Sequence, residues 1–196
     1  MSTVEQHRGA VAARVLSEVL TPAVVNVFVA VAIGLHSHAL VWGILIALAA
    51  GGLPLVGILL SVRAGRLGDH HVTNRGERPI VIMLILVTLV MCFIAQLAVG
   101  APQPMIALTA AMLATLTVLG GITVGFRVKI SVHAAVAAGT STMLSIAISP
   151  LWALSGVLVM ALMWARVRIQ DHSLGQVITG AVVGSVVAGV VFGLVS

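Results

Sequence analysis

Charge is what this chain most lacks. Asp, Glu, Lys and Arg make up 8% of its residues, against ~25% in an ordinary soluble domain, while apolar residues reach 60% against ~45–50%. That balance excludes a soluble globular enzyme, and no nucleic-acid partner is expected. The single cysteine, Cys92, excludes an internal disulfide. No helical His-Glu pair or aspartate-rich ligand run is present, so neither a metal nor another cofactor is expected. Tryptophan is confined to Trp42, Trp152 and Trp164.

Long apolar runs fill the space that charge leaves. A bilayer core ~30 Å thick takes ~20 apolar residues per helix, and backbone groups inside it must bond within their own segment. The runs Val15 to Leu35, Leu40 to Val62, Pro79 to Val99, Met105 to Phe126, Val132 to Ile148, Leu151 to Ala165 and Leu174 to Val195 therefore read as crossings. The sixth is short and, with the fifth, is equally readable as a re-entrant hairpin turning at Pro150. The expected fold is all-α, a polytopic transmembrane bundle of six or seven spans in one domain over 1–196. Glu18 and Pro22 near the start of the first run, and the lack of a small-residue cleavage site, read as a retained helix rather than a signal peptide.

Every Lys and Arg falls in one of four short islands: Arg8 to Arg14, Arg63 to Arg78, Arg127 to Lys129 and Arg166 to Arg168. Each gap between islands holds two runs, so all four can share one membrane face. The intervening links around His36 to Ala39, Gly100 to Pro104 and Ser149 to Pro150 carry no Lys or Arg. Basic loops stay in the cytoplasm, and carrying a basic side chain to a helix centre costs roughly 2.5–3.5 kcal/mol, so the islands are expected inside. Trp42 and Trp152 then fall near the outer boundary and Trp164 near the inner one.

Three islands combine basic residues with histidine. The second runs from Arg63 through Asp69, His70, His71, Arg75 and Arg78; the third holds Arg127, Lys129, Ser131 and His133; the fourth holds Arg166, Arg168, Asp171 and His172. Together at one face they would form a cationic pocket containing imidazoles. Such a pocket suits a phosphoryl group, because Arg supplies forked donors and His exchanges protons or attacks phosphorus near neutral pH. Helix N-termini add free N–H groups beside Ser131, His133 and His172. Against this, basic residues beside spans commonly do no more than anchor a helix to anionic head groups. That is the reading for Arg8 and Arg14, and the stronger one for Arg63 and Arg66.

These islands resemble the three signature motifs of the type-2 phosphatidic acid phosphatase superfamily, which shares its core with vanadium haloperoxidases. The family's first motif is Lys, six residues, then Arg-Pro; here Arg78-Pro79 matches and His71 stands at the Lys position. Its second is Pro-Ser-Gly-His, matched at Ser131 and His133. Its third is Ser-Arg, five residues, His, three residues, Asp, matched at Arg166 and His172 with Gln176 in place of Asp. The resemblance implies that His172 attacks phosphorus, that His133 protonates the leaving alkoxide, and that Arg78, Arg166 and Ser131 hold phosphoryl oxygens without a metal. Lys129, and after it Arg75, would replace the charge missing at His71, with Asp69 orienting His71 or Arg75. Gln176, one helical turn past His172, can accept an imidazole N–H but not stabilise an imidazolium as a carboxylate does. In serine proteases the same carboxylate-to-amide exchange costs ~10⁴ in rate.

Faces of small residues, Ala134, Ala135, Ala137, Ala138 and Gly139 in one run and Gly180, Gly184 and Ala188 in the last, would let helix backbones approach closely. Asn26 and Gln96 read as interhelical hydrogen-bonding residues. The substrate implied is a lipid or polyprenyl phosphate or diphosphate, with its tail in the bilayer and its head at the islands. The membrane is expected to be a bacterial inner membrane, the Arg-rich, Ala/Val/Gly-rich composition pointing to a GC-rich genome. Two rivals would use the same residues: a lipid-phosphate or anion transporter, and a catalytically impaired lipid-phosphate-binding protein.

Overall fold

The computed structural model describes residues 3–63, 78–125 and 128–196, and every regular element among them is helical. Breakers and caps in the sequence set the boundaries. Helix α1 (Thr3–Val19) stops before Thr21 and Pro22. There the Thr21 hydroxyl accepts the Val24 N–H at 3.4 Å, and Pro22 opens α2 (Pro22–His36) at a position where a helix needs no N–H. The two helices meet at 48°, so the predicted first crossing, Val15 to Leu35, is bent rather than straight. After α2, His38 takes a left-handed φ of 52° and Ala39 donates back to the Gly34 carbonyl at 2.7 Å.

Helix α3 (Leu40–Ala47) passes through a π turn (Leu48–Gly52) into α4 (Leu53–Arg63). Beside the widened turn, Thr88 of α5 (Arg78–Val99) donates its hydroxyl to the Ala49 carbonyl at 2.7 Å. Gly100, at φ 72°, then turns the chain into α6 (Gln103–Gly125). Helix α7 (Val132–Ala147) leads through a 3₁₀ segment (Pro150–Ser155) to α8 (Gly156–Arg168), and α9 (Leu174–Val195) follows.

The core forms where α2, α6, α7 and α9 meet, around Val29, Ile33, Met105, Leu108, Leu144, Ala188 and Phe192. Its tightest seam joins α7 to α9. Gly184 lies so close to the Ala135 backbone that an added methyl would overlap it, and a Cβ at Gly180 would stand 2.5 Å from the Ser131 carbonyl oxygen. Only residues without bulk let two helices meet in this way. Gln96 is fully buried, and its side-chain amide donates to the Met105 carbonyl at 3.3 Å.

The outer surface is apolar, with Val41, Met91, Val99, Leu151, Met160 and Leu194 each more than 60% exposed. In water such a surface would aggregate; in lipid it is the solvated state. Among the described residues, four helical segments are long and apolar enough to cross a bilayer: Ile82–Val99, Gln103–Gly125, Pro150–Arg168 and Leu174–Val195. The bent α1–α2 pair is a fifth if its two helices form one broken span, and Leu40–Gly52 and Val132–Ala147 are shorter apolar helices. The protein is an α-helical bundle of membrane-spanning character.

Its two ends differ. At one, His36, Ser37, Pro104, Ala147 and Ser196 surround a cavity of about 400 Å³. None of these five is Lys or Arg, and the end draws on two of the links that lack both. At the other end α7 and α9 begin and α8 finishes, and there the third and fourth islands meet.

Candidate functional site

Local backbone chemistry builds this second end. Ser131 is the N-cap of α7, fully buried, its Oγ accepting the Ala134 N–H at 3.4 Å. Its own N–H donates to the Gln176 carbonyl at 3.3 Å, tying the third island to the first turn of α9. Helix α8 closes with Gln170 in the left-handed region at φ 61°. The Gln170 N–H donates to Val167 and the Asp171 N–H to Arg166, the paired bonds of a Schellman motif, and the His172 N–H reaches the same Arg166 carbonyl at 3.3 Å. Two residues on, α9 opens with a capping box: Ser173 Oγ accepts the Gln176 N–H at 3.3 Å, and Gln176 Oε1 accepts the Ser173 N–H at 3.2 Å.

Side chains converge on this frame. His172 Nδ1 lies 3.1 Å from Gln176 Oε1. Because the Ser173 N–H can only donate, the atom facing it is the amide oxygen, which makes His172 Nδ1 the protonated nitrogen and leaves the Nε2 lone pair free. Burial pushes the His172 pKa below its usual value; Lys129 and Arg166 press it further down, while the Gln176 bond and Asp171 oppose them. The ring is therefore neutral near neutral pH. Arg166 makes an ion pair with Asp171 at 2.9 Å and donates to Ser17 Oγ of α1 at 2.7 Å, while its Nε is buried with no hydrogen-bond partner among the described residues. The Lys129 ammonium donates to the Asp171 backbone carbonyl. His133, second residue of α7 and half-buried, lies within the electrostatic reach of both Arg166 and His172.

Six sequence-derived candidates thus share one end of the bundle: His172, His133, Gln176, Arg166, Ser131 and Lys129. Ser131 is buried and spends its oxygen on the α7 cap, so it braces the cluster from beneath rather than lining it. Arg78 is the first residue of α5. His71 and Arg75, with Asp69, lie outside the described residues.

Sequence reasoning missed two contributors, Ser17 and Ser173, and the partner of a third. Ser17, 149 positions from Arg166, carried no signal at all. Asp171 is ion-paired with Arg166 and acts on the imidazole only through its charge. Ser173 and Gln176 form a Ser-x-x-Gln capping signature that was readable but was passed over in favour of Gln176 as an orienting residue.

Among the described residues, no three His, Cys, Asp or Glu side chains are grouped as a metal site. A second cavity, of about 360 Å³, opens between α7, α8 and α9 deeper in the bundle. No family model matches the chain, and no curated protein or solved structure matches it.

Proposed function

We propose that the protein is an integral membrane lipid phosphatase that removes phosphate from a lipid or polyprenyl phosphate or diphosphate. The observation carrying this reading is the pairing of a neutral, tautomer-locked His172 with a second imidazole and two cations, all held by helix ends joined through the Ser131–Gln176 backbone bond. His172 Nε2 attacks phosphorus, forming a P–N bond as the P–O bond to the lipid breaks. His133, protonated from solvent as the bound phosphate offsets the neighbouring Arg166 charge, passes that proton to the departing alkoxide. In the second half, water attacks the phosphohistidine, His133 accepts the proton, and inorganic phosphate leaves with the imidazole restored. Arg166 and Lys129 neutralise equatorial oxygens.

The finer topology belongs to the same reading: six or seven crossings, the cluster on the cytoplasmic face, and a bacterial inner membrane. From their sequence positions alone, Arg78, Arg75 and His71 of the second island are assigned to phosphate binding in this reading. A second reading, a lipid-phosphate-binding protein that does not hydrolyse, is favoured by one observation. Gln176 Oε1 already serves the Ser173 N–H, and an amide cannot stabilise the imidazolium.

Purified protein incubated with a panel of lipid mono- and diphosphates, with and without chelator, separates the two. Chelator-insensitive phosphate release that is lost in His172→Ala supports the phosphatase. Release from no lipid, with binding retained, supports the second reading.

A further inference from the structure

Beneath the polar cluster, α7, α8 and α9 part to leave an open groove of about 360 Å³, lined by Ala138, Ser141, Thr142, Gly156, Ala181 and Ser185 among others. These are the same three helices whose ends carry His133, Arg166 and His172. At ~1.5 Å per residue, the groove begins about 8 Å along α7 from His133 and along α9 from Gln176, and ends about 15 Å from the cluster at Gly156 and Val186. The lower limit is half of a ~30 Å hydrocarbon core, so the groove occupies the deeper part of one leaflet and ends near the midplane.

Its walls suit hydrocarbon. Two of the hydroxyls that border it are occupied within the protein: Ser141 Oγ donates to the Trp152 carbonyl and accepts from Ser155 Oγ at 2.8 Å, and Thr142 Oγ1 donates to the Ala138 carbonyl at 3.0 Å. At the far end Gly156 has helical dihedrals, φ −53° and ψ −27°, yet a Cβ built on it meets no atom within 4 Å. Among the described residues no close contact requires glycine there, and the missing side chain leaves that end of the groove open.

We propose that this groove seats one hydrocarbon chain of the phosphate-bearing lipid and that Gly156 sets the room for it. The inference rests on the phosphate reading of the cluster, which anchors the head about 8 Å above the groove, so that a chain hanging from it reaches the space between the three helices. A volume near the lower end of the ~300–1,000 Å³ of ligand pockets suits a single chain rather than two.

The test uses the full chain in phosphatidylcholine nanodiscs and an alkyl phosphate carrying a diazirine halfway along its chain. Photolabelling is expected on Ala138 to Thr142 and Ala181 to Val186. Unlabelled alkyl phosphate should compete, and the matching alcohol should not. Gly156→Phe, whose ring enters open space, and Ala181→Phe on the opposite wall should each cut labelling by about tenfold or more. Val157→Phe, at a 61% exposed position that does not line the groove, should leave it unchanged.

Labelling elsewhere, equal competition by the alcohol, or indifference to both groove variants would show bulk lipid only and overturn the proposal. The phosphatase reading fails separately: a protein that labels as described yet releases no phosphate keeps the groove and loses the hydrolysis. Conversely, phosphate release with an unaltered chain-length preference in both phenylalanine variants keeps the hydrolysis and removes the groove.

Discussion

Gly180 offers the most direct test of whether the α7–α9 seam sets the geometry of the cluster. It lies one turn past Gln176, and a Cβ added there would stand 2.5 Å from the Ser131 carbonyl oxygen and 3.3 Å from its carbon, where ordinary contact starts near 3.4 Å. The obstacle is backbone, which has no alternative rotamer. In Gly180→Ala the two helices must therefore separate by about 0.9 Å, the shortfall between the first distance and ordinary contact. Overpacking of this kind costs about 1–3 kcal/mol. A misplacement near 1 Å between reacting groups costs about 10²-fold in rate, and His133 and His172 sit on opposite sides of this seam. Gly193→Ala is the control, since a Cβ there meets nothing within 4 Å. Thermal unfolding in detergent and phosphate release should both fall in Gly180→Ala and hold in Gly193→Ala. Wild-type melting and turnover in Gly180→Ala would refute the claim that this contact positions the imidazoles.

Other expectations follow from the same geometry. Gln176→Asp should preserve or raise phosphate release, since a carboxylate near a helix N-terminus is favoured by the dipole and stabilises an imidazolium; an inactive but folded Gln176→Asp protein would argue against the orienting role. The acid limb of kcat/KM should lie below pH 6.5, because burial and its cationic neighbours lower the His172 pKa from that value and the nucleophile must be neutral. Lys129→Gln removes a charge that lowers this pKa and should move the limb to higher pH, whereas Asp171→Asn removes one that raises it and should move the limb lower. Profiles on one substrate check both, and shifts in the same direction would contradict the assignment. Ser17→Ala should destabilise the protein by roughly 1.5–3 kcal/mol, the value of a hydrogen bond to a charged group, and raise KM by freeing Arg166; unchanged melting would show that the bond is idle.

Much of the helical pattern was legible because hydrophobic length is read directly from composition. The small faces that meet in the α7–α9 seam were visible in Gly180, Gly184 and Ala188 and in Ala134, Ala135 and Gly139, since close helix contact demands small side chains, but which helices they join was set by the tertiary fold. The 48° bend between α1 and α2 was not read, although Thr21 and Pro22 signal a helix start there. An apolar tally over Val15 to Leu35 averages across the break. Nor was the π turn at Leu48–Gly52, which depends on how one helix packs against Thr88 of another. In the cluster, the i, i+4 relation of His172 and Gln176 is local and could be read from spacing. The grip of Ser17 on Arg166 is set by the tertiary fold alone, and no short-range pattern encodes it.

The bond from the Ser131 amide to the Gln176 carbonyl has a dynamic corollary. A jaw that opens needs compliance at its hinge, and two backbones in direct contact have no intervening side chains to rearrange. The beginnings of α7 and α9 move as one piece. Under the proposed reaction, traffic is left to the lipid itself, which must glide in from the side while the helices stand still.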